Sequence, residues 1–433
     1  MEREEVQRLV ADAVRELRRG ASDEEPRGSQ VIALVNAILD TALAEEATDI
    51  HLERRIQNGI DKGNDISDIH LEPVNGGLRI RMRVDGMLRE RPIRFPSELA
   101  PVIIARLKVM AGIDTAKRNR PQDGQIRYRS GNRPIDMRVA VLPVVDGERM
   151  VVRIMDAREC FLGCEELDFT ARNQELFERL IHRPTGLLLL CGPMNSGKTT
   201  TLYAALSALN EPSCHIMTLE DPVERRIDGI SQFQVNPEAG LTFVTGLRAA
   251  LRQDAQKILL GEIRDRETAE MAVRIALTGH ALFSTLHTED TVSAVFRMIE
   301  MGVPSYLLAA TLSGVIAQRL VRRICPHCRE EYAVPVGVRE AVQLGELYHE
   351  GLYLVRGRGC THCHGTGYRG RMAIHEVLPI SEPIRAAILA GCDKESLRRA
   401  AVKDGMETLW QDGAAKACAG ETTIAEVARA LYG

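Results

Sequence analysis

Residues 192–199 read Gly-Pro-Met-Asn-Ser-Gly-Lys-Thr, two glycines five apart followed at once by a lysine and a hydroxyl side chain. That spacing suits a loop whose backbone N–H groups close on phosphate oxygens. Lys198 would bring its charge to the β- and γ-phosphates, and the Thr199 hydroxyl would ligate Mg²⁺. Gly192, Pro193, Met194, Asn195, Ser196 and Gly197 form the candidate cradle, with Lys198, Thr199 and Thr200 opening a helix whose positive end faces the anion. An ordinary glycine-rich turn is the competing reading. The apolar run at 187–190 favours the cradle, because it supplies the buried strand such a loop must follow.

A second apolar run, 258–260, leads through Gly261 to Glu262 in "ILLGEIRD". A carboxylate just past a strand end can orient and deprotonate an attacking water. Gly261 stands where a metal-supporting aspartate is usual, so Mg²⁺ would depend on Thr199, water and a more distant acid. Glu220 and Asp221 in "TLEDPVE" are one source of that acid, or else a capped turn before Pro222. His280 and His287 flank the run 281–286, and we expect both to reach the phosphate edge.

Ten cysteines need explaining in a chain with no sign of export. Cys325 and Cys328 form one C-x-x-C knuckle, and Cys360 and Cys363 a second. Four thiolates so arranged can close around Zn²⁺ with no open position, so the metal would be structural. Arg322, Arg323, Arg329, Arg356 and Arg358 crowd the knuckles, and we expect them to offset the thiolate charge. His327, His362 and His364 are substitute ligands of lower standing. Cys160, Cys164, Cys191, Cys214, Cys392 and Cys418 are expected to be reduced thiols.

The elements that position these groups can be read along the 433 residues. Residues 2–19 place Val6, Val10, Ala13 and Leu17 at helical spacing, a stripe that either packs on its own domain or docks a partner. A polar stretch, 20–30, reads as a linker, and a helix follows at 31–47. "TDIHLE" at 48–53 recurs as "SDIHLE" at 67–72, and 48–66 reads as an inserted loop. Alternating segments between 78 and 156, with one helix near 99–110, make an α+β domain. From 173, strand–helix alternation marks a parallel sheet covered by helices.

Hydrophobic residues make up 45% and charged residues 27%, the composition of a globular chain, and net charge is −4. No global basic field draws the chain to nucleic acid, and no apolar run is long enough to span a bilayer. The N-terminus has no signal-peptide core, so the expected location is cytoplasmic.

The cradle, "TLEDPVE", "GEIRD", "LTGH", "STLHT" and the paired knuckles occur in an order that resembles the secretion ATPases of type II secretion and type IV pilus assembly. "SDIHLEP", "RMRVDG", "RPQDG", "DMRVAVLP" and "GERMVVRIMD" resemble that family's smaller domain. The resemblance implies a RecA-like P-loop core with a smaller N-terminal α+β domain, a tetracysteine zinc subdomain and a helical C-terminal end. It implies domains at 30–156, 173–320, 321–376 and 377–433, with 1–29 a helix and linker and 157–172 a connection. A homo-hexamer is implied, with ATP between the two larger domains and Arg138 and Arg153 reaching the γ-phosphate. Glu262 would be the catalytic glutamate, Glu220 and Asp221 part of the aspartate box, and His280 and His287 part of the histidine box. ATP, Mg²⁺ and structural Zn²⁺ are the implied cofactors. The implied partners are an inner-membrane platform protein and a membrane-anchored docking protein, with the ring peripheral to the inner membrane. Retraction motors of the superfamily lack the tetracysteine element, so its presence favours assembly or secretion.

Several positions depart from the family pattern. Met194-Asn195 replaces Thr-Gly, tolerable if Asn195 takes a negative or left-handed φ. Ala255-Gln256-Lys257 replaces a Pro-Asp, Gln125 stands where arginine is common, and "HTED" replaces "HTND". With so little before residue 30, no additional large docking domain is expected. Two other readings compete: a RecA-like motor on nucleic acid, against which the 4% aromatic content argues, and a scaffold that binds ATP without turnover, against which Lys198, Thr199 and Glu262 argue.

Overall fold

A computed structural model describes residues 3–19, 29–47, 66–74, 77–90, 93, 95–130, 133–155 and 162–433. Of the linker expected at 20–30, residues 20–28 lie outside the described residues and Ser29 and Gln30 open a helix, while the inserted loop expected at 48–66 lies outside them apart from Ile66. The chain divides into two compact units, Met1–Cys160 and Phe161–Gly433.

In the first unit the elements run α1 (Arg3–Arg19), α2 (Ser29–Ala47), β1 (Ile66–Val74), β2 (Gly77–Val84), β3 (Met87–Glu90), α3 (Ala100–Met110), β4 (Gln122–Ser130), β5 (Arg133–Val144) and β6 (Gly147–Met155). The strands form one antiparallel sheet in the order β3-β2-β1-β6-β5-β4. Period-two alternation makes it two-faced. Leu78, Ile80, Met82 and Val84 enter the core, while Arg79, Arg81 and Arg83 stand on the other face. The core lies beneath the helices, where Ile103 and Leu107 of α3 join Leu34 and Ile38 of α2. Val6, Val10 and Ala13 of α1 are buried in that same cluster. Val6, Val10 and Ala13 of the α1 stripe are therefore covered by their own unit, while Leu17 at its end stays exposed.

The second unit runs α4 (Ala171–Ile181), β7 (Gly186–Cys191), α5 (Lys198–Ala208), β8 (Ile216–Glu220), β9 (Ser231–Gln234), α6 (Phe243–Ala250), β10 (Lys257–Leu260), α7 (Arg266–Leu277), β11 (Ala281–Leu286), α8 (Thr291–Glu300), α9 (Ser305–Thr311) and β12 (Leu312–Ile324). It continues with β13 (Arg329–Ala333), α10 (Arg339–Leu344), β14 (Tyr353–Gly357), β15 (Tyr368–Pro379), α11 (Glu382–Leu389), α12 (Lys394–Lys403), α13 (Leu409–Cys418) and α14 (Ile424–Tyr432). Seven strands are ordered β15-β12-β7-β11-β10-β8-β9, all parallel except β15, which runs against β12. The central strands are buried along almost their whole length and mostly apolar because helices cover both faces. Leu187 and Leu189 of β7 enter one core, and Leu188 and Leu190 the other. Side-chain caps fix several helix starts, including Asp265 on Thr268 N–H and Asp290 on Ser293 N–H.

The cysteine-bearing section is an excursion between two neighbouring strands of this sheet. It leaves after Ile324 and returns at Tyr368, which are paired across β12 and β15. The boundaries expected at 320/321 and 376/377 fall inside those strands, because the pairing of β12 with β15 extends past the visible change in composition. Within the excursion β13 and β14 make a small antiparallel sheet. Val334, Leu344 and Leu354 pack there on Ala414, Ala417 and Ile424 of the C-terminal helices. No helix among the described residues is long and apolar enough to cross a membrane.

Candidate functional site

β7 delivers the loop 192–197 to the carboxyl edge of the parallel sheet, where ligands bind in such folds. Gly192 and Gly197 have φ of 152° and 86°, and Asn195 takes the left-handed value of 61°. Asparagine is among the few side chains that accept that conformation readily, so the Met194-Asn195 departure keeps the loop's shape. Lys198 folds over its own loop, donating from Nζ to the carbonyls of Gly192 and Pro193 at 2.8 Å each. Burial lowers its pKa to about 8. Ser196 is buried with no partner for its Oγ, while Thr199 and Thr200 are exposed at the start of α5. An orphaned hydroxyl, a glycine-lined loop and a helix N-terminus together fit a polyphosphate.

Two strand ends beside β7 complete the edge. β11 pairs with β7 and β10 with β11, so His287 and Glu262 follow the ends of successive strands. His287 Nε2 lies 3.4 Å from Glu262 Oε2. Arg264 NH2 grips the other carboxylate oxygen, and this ion pair raises the arginine's pKa. Glu262 is thus oriented from both sides. In "GEIRD" the sequence alone assigns Arg264 no role. Its position two residues after the glutamate was the available signal.

His280 is placed differently from expectation. It precedes β11 and its carbonyl accepts Gly186 N–H, at the start of β7. The six residues of β11 separate it from His287. At about 3.3 Å per residue this is roughly 20 Å, so His280 sits on the opposite edge from the phosphate loop. Flanking a strand puts two residues at opposite ends of it, which is the reason the pair cannot share one site within this unit.

Glu220 ends β8, next to β10, and is buried. Its carboxylate accepts Tyr203 Oη, Thr218 Oγ1 at 2.5 Å and Gln232 Nε2 at 3.3 Å. Tyr203 belongs to α5, so Glu220 ties the phosphate-loop helix to β8 and β9. Asp221, one residue on, is exposed. Tyr203 was missed in the sequence, since an aromatic residue on a helix reads as core.

Arg138 and Arg153 lie in the first unit, directly opposite each other on β5 and β6. Opposed residues share a face, and this row continues through Asp68 to Arg83. Arg153 is half exposed and donates from Nε to Asp68 Oδ1 at 3.0 Å. Asp68 itself is 3% exposed although it stands on the open face, because Arg83 and Arg153 cover it. In sequence Asp68 shows no role, because a strand acid has no visible partner until register is known.

The four knuckle cysteines converge. Sγ atoms of Cys325 and Cys360, and of Cys328 and Cys363, are 3.8 Å apart, and those of Cys360 and Cys363 3.7 Å. Zn–S bonds of about 2.3 Å imply tetrahedral S···S edges of about 3.8 Å. Burial would raise the Cys363 thiol, but N–H groups of Cys360 and Gly367 donate to its sulfur, and the net result is a lowered pKa of about 6. The donor set fits a structural zinc. His327 and His362 stack on each other at 4.0 Å instead of joining it. Four of the five nearby arginines are engaged by carboxylates. Arg322 pairs with Glu426, Arg323 with Asp168 and Glu421, and Arg356 and Arg358 with Glu330, since carboxylates lie within their reach.

A parallel sheet with a phosphate loop, a following lysine and an oriented glutamate on a nearby strand end defines a P-loop nucleoside-triphosphate hydrolase. Residues 60–429 match the family model described as Type II/IV secretion system protein, and the chain belongs to this family. It is 44% identical over 406 residues to type II secretion system protein E of Dickeya dadantii, spanning 92% of this chain and 75% of that one. It is 44% identical over 363 residues to the type IV pilus assembly ATPase PilB of Thermus thermophilus, covering 84% of this chain and 41% of PilB. Among solved structures it resembles the pilus retraction motor PilT with bound ADP, at a TM-score of 0.58 and 25% identity, covering 84% of this chain and 93% of that one.

Proposed function

We propose that the chain is the hexameric ATPase of a pilus or type II secretion assembly machine, working at the inner membrane on a platform protein. The observation that carries the reading is the convergence of the Lys198 loop, Glu262 and His287 on three successive strand ends. That is the apparatus for hydrolysing ATP, and the family's work is secretion and pilus assembly. A motor on nucleic acid is the reading that family membership disfavours.

In this account Lys198 leaves its loop carbonyls for the β- and γ-phosphates, and the backbone of 192–197 closes on their oxygens. Bound Mg²⁺ would neutralise charge on those oxygens, with the Thr199 hydroxyl as its protein ligand. Glu262, aimed by His287 and Arg264, orients the attacking water and takes its proton. Arg153 and Arg138 act on the nucleotide of an adjoining subunit. Asp68 engages Arg153 at Nε, the side of the guanidinium nearest the strand. The tetracysteine cluster would hold one structural zinc.

The test is ATP turnover of the purified chain, with and without the cytoplasmic fragment of the cognate platform protein, alongside particle sizing. We expect a hexamer whose turnover rises with the fragment and ignores single-stranded DNA. Turnover indifferent to the platform but raised by DNA would overturn the reading.

A further inference from the structure

The loop 192–197 is shaped by a residue more than a hundred positions away in sequence. A Cβ on Gly192 would lie 2.5 Å from the Gln318 carbonyl oxygen, and a Cβ on Gly197 2.7 Å from Gln318 Nε2. One residue of β12 therefore abuts both glycines of the loop, the first with its backbone and the second with its side chain. Contact that close to a backbone oxygen admits no side chain at position 192, and one at position 197, where φ is 86°, would have to displace the Gln318 amide.

The same amide reaches the helix. Gln318 Oε1 accepts the Thr201 hydroxyl at 2.8 Å, and both residues are buried. Thr201 lies in the first turn of α5, immediately beyond Lys198, Thr199 and Thr200. Pairing of β12 with β7 runs as far as Ala317 and Cys191, so Gln318 stands where the loop leaves the sheet. Its carbonyl is itself fixed by Arg319, which donates from NH1 to it at 3.2 Å and from NH2 to Glu289 O at 2.8 Å.

We propose that Gln318 is a positioning residue for nucleotide, holding both ends of the phosphate loop and the first turn of α5 at the spacing a polyphosphate takes. The inference rests on the ATP site described above and extends it beyond the motif. It gives a particular signature. Loosening the loop lowers the fraction of protein competent to bind, and apparent affinity falls by that fraction. The hydrolytic groups Glu262 and His287 follow β10 and β11, neither of which pairs with β12. Once nucleotide is bound, the chemical step should proceed nearly as before.

The experiment uses the full chain, with Mg·ADP binding measured by calorimetry and steady-state ATP turnover measured beside it. Gln318→Met keeps length and removes the amide. It should raise the Kd for Mg·ADP and the KM for ATP about tenfold, the loss of one buried hydrogen bond, with kcat within about twofold. Thr201→Val should weaken binding in the same direction, Thr201→Ser should restore it, and the Thr201→Val, Gln318→Met double variant should be no weaker than Gln318→Met alone. Unchanged Mg·ADP affinity in Gln318→Met, or fully additive losses in the double variant, would overturn the role. If Gln318→Met does not fold, the Thr201→Val and Thr201→Ser pair decides: equal affinities in the two refute the clamp. Lys198→Ala serves as the reference. Mg·ADP binding undiminished there would sink the nucleotide site itself, not the part Gln318 plays in it.

Discussion

His287 Nε2 stands 3.4 Å from Glu262 Oε2, across the ends of two adjacent parallel strands. With Arg264 on the other oxygen, the carboxylate has little freedom to turn. A base held in one orientation offers its lone pair to water at no further entropic cost. The contact also separates the two histidines that sequence spacing had paired.

From that separation follows the first prediction. His287→Ala should lower kcat by about tenfold, a fraction of the roughly 10²–10⁴ supplied by the proton-transfer group it orients. His280→Ala, on the far edge of the sheet, should leave kcat within about twofold. Steady-state turnover of the two variants checks this, and equal losses would contradict it.

A pH dependence follows from Lys198. Burial lowers its pKa from 10.5 to about 8. Between those values the unfolded chain holds a proton that the folded protein has given up, so stability attributable to this group rises with pH through about 8 and upward. A bound polyphosphate favours the charged form and pushes the pKa back up. Mg·ATP binding to a turnover-deficient variant should therefore take up a fraction of a proton at pH 9 and weaken as pH rises from 7.5 to 9.5. Calorimetry in buffers of different ionisation enthalpy measures the uptake. Affinity flat across that range would exclude the coupling.

For the tetracysteine cluster we expect about one zinc per chain in protein prepared without chelators. Cys363→Ser should lose the metal and lower the melting temperature, because Val334, Leu344 and Leu354 of this excursion help pack the C-terminal helices. Metal analysis with thermal melting settles it. A metal-free wild type with an unchanged melting temperature would remove the structural role.

Arg153→Ala should depress turnover by about a thousandfold, the lower end of what a phosphate-contacting arginine contributes. Mixed with wild type, it should poison the oligomer out of proportion to its share, the outcome expected from the proposed action on an adjoining subunit's nucleotide. Asp68→Asn, which weakens the hold on Arg153 Nε, should have a smaller effect in the same direction. Turnover strictly proportional to the wild-type fraction would exclude action between subunits.

What the sequence made legible was whatever local pattern determines. The strand 187–190, the loop, the lysine and Glu262 are contiguous or follow an apolar run, and the cysteine knuckles announce themselves by spacing. The parallel sheet and the smaller α+β unit were readable from the period of apolar residues. Less legible was everything set by register between distant strands. Gln318, Tyr203 and Asp68 gain their parts only when β12 lies beside β7, α5 beside β8, and β1 beside β6. Arginines near the cysteines looked like counter-charges because sequence shows proximity along the chain but not the carboxylates folded toward them.

The central claim is that Glu262 activates water at an ATP site formed by the Lys198 loop. The most direct measurement is Glu262→Gln, assayed for Mg·ATP affinity and for turnover. The account predicts affinity within about threefold of wild type and turnover reduced by at least about a hundredfold. Turnover at the wild-type rate, with affinity intact, would contradict it and place the base elsewhere.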